Sequence, residues 1–374
     1  MKLSNVSEKG LEKAKLFQKK LRVGILAGTG MVGQKYISLL ENHPWFEVTY
    51  ITASERSAGK KYSEAVAGRW RMPTEIPEKV KNIVVQDMNA IDQVKKSCDF
   101  VFSALDSGPA KEWEEQYAAA GIPVVSNASA HRHTPDVPML IPEINPEHLN
   151  IIPIQQKNRG WKKGFIVVKP NCSLQSYMTP LFAIHKKFKL KRAIITTMQS
   201  VSGAGHPGVS SFDIIDNIIP YIGGEEEKSE REPQKILGKI EGNKINYNED
   251  FQISAHCNRV PTIDGHMACV SAEFEENPTR EQILEIWKKF KAIPQELNLP
   301  FAPKQPIIYR EEPDRPQTRL DRDADKGMAC VCGRLRECKV LQWRFVALSH
   351  NTTRGAAGGG ILNAELLYKK GYFD

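Results

Sequence analysis

Leu21–Ala27, LRVGILA, is a short apolar run closed by Gly28-Thr29-Gly30. That pattern predicts a buried strand ending in a tight turn. Over 32–42, VGQKYISLLEN, apolar residues recur at helical spacing, and Phe46–Ala53, FEVTYITA, reads as the next strand. Shorter apolar runs at 82–86, 99–105 and 122–126 predict further strands, and 109–120 predicts a helix with Pro109 near its first turn. Strands alternating with helices imply an α/β, doubly wound parallel sheet of the Rossmann type.

Past residue 165 the pattern changes. Longer alternating segments at 192–200, 267–275, 328–338 and 340–349 predict strands of a mixed or antiparallel sheet. A helix is predicted over 279–291, and 355–370 starts with GAAGGG and continues as a helix. The charge run at 225–232, EEEKSERE, predicts an exposed helix. Residues 1–165, completed by the helix within 350–374, are expected to form a dinucleotide-binding domain, and residues 166–349 an α+β catalytic domain.

A chain of 374 residues suits two domains, since one core rarely grows past about 250–300 residues. Hydrophobic residues at 41% and charged residues at 26% fit a water-soluble globular protein. No apolar run approaches the ~20 residues of a membrane span, and no signal-like segment opens the chain, so a cytoplasmic protein is expected. Residues 1–20 are Lys-rich with some Glu, which suggests a solvated helix or frayed tail rather than an Arg-rich transit peptide. The net charge of +8 is spread among acidic residues without a nucleic-acid-binding motif, so it points to a small polyanionic ligand. Seven irregularly spaced cysteines, with Cys330 and Cys332 as a lone C-x-C, support neither a zinc site nor a disulfide framework.

Gly28-Thr29-Gly30-Met31-Val32-Gly33 is a G-x-G-x-x-G between a predicted strand and a predicted helix. In that context glycines let the backbone approach a pyrophosphate, and the helix N-terminus supplies N–H donors. Gly28, Thr29, Gly30, Met31 and Val32 are therefore candidate cofactor contacts. After the second strand comes Ser54-Glu55-Arg56-Ser57, followed by Lys60 and Lys61. Ser54, Arg56 and Ser57 can hold a 2′-phosphate, so NADP is expected rather than NAD.

Cys172 lies in VVKPNCSLQSY, where a strand gives way to a helix. The other six cysteines read as small buried hydrophobes. A helix N-terminus favours thiolate, and a thiolate near a nicotinamide suggests aldehyde oxidation through a thioester. Such chemistry needs an acid–base group, and His266 and His256 are the two candidates near Arg259.

The order of motifs resembles the aspartate-β-semialdehyde dehydrogenase family over nearly all of residues 21–374, most closely its archaeal and fungal branch. The resemblance rests on the TGMVG loop, SNASA at 126–130, PNCS at 170–173, TMQSVSGAG at 197–205, NRVPTIDGH at 258–266 and NTTRGAAGGG at 351–360. It implies Cys172 as nucleophile, His266 as acid–base, and Gln199 orienting the substrate. It implies Arg259 on the substrate α-carboxylate, Glu225 on its ammonium, and Lys228, Arg132 and Asn127 on phosphate. Ser103, Ser202, Gly203 and Asn351 are implied on the cofactor side. The implied reaction converts L-aspartyl-4-phosphate to L-aspartate 4-semialdehyde and phosphate, and serves threonine, methionine, isoleucine and often lysine synthesis. The implied assembly is a homodimer or homotetramer built by the second domain. One departure is plain: the family's Gly-Ala-Thr-Gly loop reads Ala27-Gly28-Thr29-Gly30 here, so Ala27 takes the first glycine's place. Archaeal malonyl-CoA reductase is a similar alternative, but there a Leu usually stands in place of Asn171. A non-catalytic NADP-binding redox sensor is a third reading, and it has no need of Gln199, Arg259 and His266 together.

Overall fold

Six parallel strands make the first sheet, in the order β3-β2-β1-β4-β5-β6. They are β1 (Leu21–Leu26), β2 (Phe46–Ala53), β3 (Gln86–Asp87), β4 (Phe100–Ser103), β5 (Val124–Ser126) and β6 (Ile166–Val168). The chain leaves β1 toward β2 on one side and resumes at β4 on the other, so a crevice opens at the carboxyl ends of β1 and β4. Helices α1 (Met31–Leu40) and α2 (Ser107–Ala119) are among the crossovers. This computed structural model describes residues 20–374, and the expectation for the Lys-rich N-terminal stretch lies outside them.

Six further strands form a mixed sheet in the order β10-β7-β11-β14-β13-β12. They are β7 (Leu190–Gln199), β10 (Gln252–Arg259), β11 (His266–Phe274), β12 (Ile307–Arg310), β13 (Cys330–Glu337) and β14 (Trp343–Ser349), while β8 (Lys239–Glu241) and β9 (Lys244–Asn246) form a separate hairpin. Helices α3 (Leu174–Phe188), α4 (Glu225–Ile236) and α5 (Arg280–Lys289) accompany this sheet. Alternation along β11 buries Ala268, Val270, Ala272 and Phe274 in the core and leaves Cys269 on the open face. The last helix, α6 (Gly358–Lys369), returns to the first sheet, where Ile361, Leu362, Leu366 and Leu367 share a core with Val23, Ile25 and Ile51.

The register of the mixed sheet gathers the chemistry at one end. Gln199 at the end of β7 is paired with Arg259 at the end of β10, and His266 at the start of β11 is paired with Ser349 at the end of β14. That end faces the segment leaving β6, Lys169 to Ser173, which leads into α3.

Several expectations change in detail. The strand predicted at 82–86 reduces to Gln86–Asp87 with an isolated bridge from Val84 to Lys61. Strand β10 is not among the predicted strands, although Ile253, Ala255 and Cys257 alternate along it with polar residues. The charged helix at 225–232 is not simply a solvated face: Glu225, Ser229 and Glu232 are buried along one side of α4. Cys269 is exposed and Cys338 half-buried, unlike the buried Cys98, Cys257, Cys330 and Cys332. Among the described residues no helix is long and apolar enough to cross a membrane.

Candidate active site

Asn171 builds the turn that presents Cys172. Its Oδ1 accepts from the Ser173 N–H at 2.8 Å and the Ser173 hydroxyl at 2.7 Å, closing the turn just before α3. Its Nδ2 donates to the Glu225 carboxylate at 2.8 Å, and its N–H to Glu232 Oε2 at 2.7 Å. The thiol is thereby fixed from both sides of its own turn.

Cys172 Sγ lies 3.3 Å from His266 Nε2. His256 does not compete: it is exposed on the opposite face of β10 from the buried Arg259. The other ring nitrogen of His266, Nδ1, accepts from the Ser200 backbone N–H at 3.1 Å. A backbone amide can only donate, so Nδ1 carries no proton and the neutral ring holds its proton on Nε2, toward the thiol. Burial, then the charges of Arg259, His350 and Lys169, push His266 down to about 3, so the ring is neutral at physiological pH.

The thiol differs from the sequence expectation of a lowered pKa. Burial pushes Cys172 up, as does the Glu225 carboxylate, while Lys169, Arg132 and Arg259 pull it down. Desolvation outweighs the helix terminus, and nearby cations set the thiolate's stability.

Arg259 Nη1 donates to the Ser200 carbonyl at 2.8 Å. A Cβ on Gly203 would lie 2.9 Å from Arg259 Nη1 and 2.9 Å from His266 Cε1, so only glycine lets both groups keep their places. A Cβ on Gly355 would lie 2.9 Å from Cys172 Cβ, so the C-terminal glycine run closes directly on the thiol. Gln199 Nε2 donates to Glu225 Oε2 and Thr197 Oγ1, each at 3.2 Å. Asn351 Oδ1 accepts from Ser200 Oγ at 3.1 Å and Gly265 N–H at 2.8 Å, while its Nδ2 donates to Ser202 Oγ at 2.8 Å. Asn351 thus ties the chain after β14 to the two loops that hold His266.

Two cations assigned to phosphate by resemblance are already paired. Arg132 meets Glu232 at 2.9 Å, and Lys228 meets Glu225 at 2.8 Å. Arg132 also donates to the Lys169 carbonyl at 3.0 Å and to the Asn127 carbonyl at 3.3 Å, joining the SNASAHR turn to the thiol's strand. Sequence reasoning missed Lys169, Ser200, Asn171 and Glu232. Three of these sit beside assigned residues in the quoted motifs, so position within the motif was the available signal.

A cleft of about 580 Å³ runs from Cys172 to the turn after β1. Met31, Val32, Ser202, Gly203 and Asn351 line it, with Asn127, Arg132 and Lys228 near the thiol end. Ala27 has φ 59°, the left-handed conformation glycine adopts more readily. The transposed loop keeps that turn and places the strain on alanine. Gly28 and Gly33 supply close approach: a Cβ on Gly28 would lie 2.5 Å from Ile51 Cγ2, and one on Gly33 2.6 Å from the Ala27 carbonyl. Gly30 precedes α1, with Thr29 beside it in the turn. Beyond β2, Ser54 and Arg56 are exposed, whereas Ser57 is buried, its Oγ 3.4 Å from Arg69 Nη2. Ser103 is buried at the end of β4, and its neighbours Ala104 and Leu105 reach the cleft instead.

A doubly wound sheet with a glycine-rich first turn, joined by a cleft to a half-buried cysteine beside a buried histidine, has the architecture of a nucleotide-binding oxidoreductase. Residues 22–152 match the family model described as semialdehyde dehydrogenase, NAD binding domain, and residues 181–354 match semialdehyde dehydrogenase, dimerisation domain. The aspartate-semialdehyde dehydrogenase of Archaeoglobus fulgidus is 48% identical over 93% of this chain and 98% of its own length. That of Aspergillus fumigatus is 46% identical over 94% of this chain and 98% of its own length. The crystal structure of the Candida albicans aspartate semialdehyde dehydrogenase with NADP is 40% identical, covers 95% of this chain and all of its own, and superposes with a TM-score of 0.85. This chain belongs to the aspartate-semialdehyde dehydrogenase family, a family of oxidoreductases.

Proposed function

We propose that the protein is an NADP-dependent aspartate-semialdehyde dehydrogenase that reduces L-aspartyl-4-phosphate to L-aspartate 4-semialdehyde through a thioester on Cys172. The observation that carries this reading is the 3.3 Å approach of Cys172 Sγ to His266 Nε2 at one end of the cleft. The cradle fits the cofactor: glycines stand where side chains would obstruct the turn at Gly28 and Gly33, and Ser54 and Arg56 are open beyond β2 to receive a 2′-phosphate. Bound there, NADPH supplies the hydride in this direction and NADP accepts it in the other.

Cys172 thiolate attacks C4 of the acyl phosphate. A C–S bond forms, the C–O bond to phosphate breaks, and phosphate leaves. After reduction of the thioester carbon, His266 Nε2–H gives its proton to the oxyanion that develops beside Cys172. As the thiohemiacetal collapses its hydroxyl proton returns to His266 Nε2, the C–S bond breaks, the aldehyde is freed and the thiolate is restored. Arg259 pairs with the substrate α-carboxylate through its planar guanidinium, and Glu225 holds the ammonium. Arg132, Lys228 and Asn127 receive the phosphate, with Glu232 and Glu225 fixing the two cations in place. Gln199, anchored on Glu225, orients the substrate between them.

The enzyme serves synthesis of threonine, methionine and isoleucine, and of lysine where that route is present, in the cytoplasm. We read the chain as two domains, residues 1–165 with 350–374 and residues 166–349, with Ile166–Val168 pairing back onto the first sheet. The open face of the mixed sheet carries Cys269 and the half-exposed Ile194, and is the surface on which two copies would pair. Phosphate-dependent NADP reduction with L-aspartate semialdehyde tests the reading. Turnover in the wild type that vanishes in Cys172→Ala is expected, and a wild type that binds NADP without turning over would sink the assignment.

A further inference from the structure

Gln34 follows directly on the G-x-G-x-x-G, in the first turns of α1, and its side chain is buried. A buried amide is costly unless its polar atoms are paired. Here they are paired with backbone on two sides. Nε2 donates to the Thr29 carbonyl, inside the glycine turn, at 2.9 Å and to the Arg69 carbonyl at 2.9 Å. Oε1 accepts from the Arg71 N–H at 2.8 Å. One side chain therefore fixes the loop at 69–71 against the turn that opens α1.

What that loop presents is Arg71, which lines the cleft together with Met31 and Val32 of α1. Its Nε donates to His206 Nε2 at 3.2 Å, and His206 belongs to the loop after β7 that also carries Ser202 and Gly203. The contact therefore joins two walls of the cleft. Nη1 donates to the Gly68 carbonyl at 3.0 Å. Among the described residues Nη2 has no hydrogen-bond partner, and no carboxylate pairs with Arg71. Its neighbour Arg69 is engaged with Ser57 Oγ at 3.4 Å, and Arg132 and Lys228 are each neutralised by a glutamate. Arg71 is thus a cleft-lining guanidinium, held at Nε and Nη1, with an unspent charge and a free donor.

We propose that Arg71 binds the diphosphate of the dinucleotide, from outside the glycine turn, and that Gln34 is the positioning residue that holds it there. The inference rests on the reading that the cleft takes NADP. A diphosphate is expected at the N-terminus of α1, where backbone N–H groups and the helix dipole favour an anion. Arg71 is tied through Gln34 to Thr29 in that same turn, and a guanidinium is suited to phosphate oxygens. The 2′-phosphate is assigned elsewhere, to Ser54 and Arg56 beyond β2. The diphosphate is common to NADP and NAD, so Arg71 adds affinity for both and does not choose between them.

The test is calorimetric titration of the full-length protein with NADP and with NAD. In Arg71→Met both dissociation constants are expected to rise about tenfold, the scale of one charge-assisted hydrogen bond, and by the same factor. Loss of a long-range field alone would weaken NADP more than NAD, because NADP carries the extra phosphate. Unchanged constants, or a loss larger for NADP than for NAD, would overturn the proposal. Arg71 is exposed, so this variant keeps the fold. Gln34→Met keeps most of the volume and removes the three hydrogen bonds. It is expected to weaken both dinucleotides, and adding Arg71→Met to it should cost little more, since the two residues act as one unit. Fully additive losses would overturn the role of Gln34. Binding is read without substrate, so a failure of the proposed reaction leaves the test intact. A wild type that binds neither dinucleotide would sink the cofactor reading itself, and this proposal with it.

Discussion

The Ser200 backbone N–H points at His266 Nδ1 from 3.1 Å, and the Ser200 hydroxyl stands 3.1 Å from the same nitrogen, so the ring is held with Nε2 toward Cys172. Burial keeps this ring neutral at physiological pH, and in the proposed reaction it acts as a neutral acid.

The same burial that keeps His266 neutral makes stability depend on pH. Its folded-state pKa, about 3, lies below the ~6.5 of an unfolded histidine. As pH falls below ~6.5 the unfolded chain takes up a proton that folded His266 refuses, so its contribution is complete above that pH and is lost progressively toward about 3. Wild-type stability relative to His266→Gln is expected to drop by about 2 kcal/mol between pH 7 and pH 5. Urea unfolding of both proteins at the two pH values checks it.

Gly203→Ala should separate activity from folding. The added methyl meets Arg259 Nη1 and His266 Cε1 at 2.9 Å, both functional groups, while Gly203 itself belongs to no core cluster. We expect kcat/KM to fall about 100-fold, since small misplacements of catalytic groups carry costs of that order, with little change in Tm. A large loss of Tm with normal activity in the surviving fraction would refute the geometry.

Arg354 and Glu143 form an ion pair that ties the segment before α6 to the loop after β5, with both side chains at most 2% exposed. Removing one partner leaves a buried charge alone, so Arg354→Met is expected to cost about 3–5 kcal/mol. The double change Arg354→Met with Glu143→Leu should recover much of that loss. Denaturant titration of the two single variants and the double variant provides the cycle.

Arg56 is exposed just beyond β2, where the proposed reading puts the 2′-phosphate of NADP. Replacing it with Glu should raise KM for NADP by about tenfold or more, the scale of one charge-assisted hydrogen bond, and leave KM for NAD nearly unchanged. Parallel titrations with the two cofactors measure the difference.

What was legible in the sequence was mostly local. The strand Phe46–Ala53 coincides with its apolar run, and the G-x-G-x-x-G sits between strand and helix as its spacing requires. The turn around Cys172 and the choice of NRVPTIDGH for the acid–base group rest on motifs whose residues lie close in the chain. What was not legible depends on distant partners. The glutamates of α4 look solvated in a charge run, and only the fold shows Glu232 meeting Arg132 and Asn171 from 100 and 61 residues away. Ser57 looks like a phosphate ligand beside Arg56, but the turn directs it inward toward Arg69. Thiol ionisation was misjudged because a helix terminus is visible in the sequence and desolvation is not.

The central claim is that Cys172 carries the acyl group. Enzyme mixed with L-aspartate semialdehyde and NADP in the absence of phosphate should give a burst of about one NADPH per active site and then stall, because the thioester has no acceptor. Adding phosphate should release steady turnover, and Cys172→Ala should show neither phase. A burst that persists in Cys172→Ala, or steady turnover in the wild type that needs no phosphate, would contradict the account.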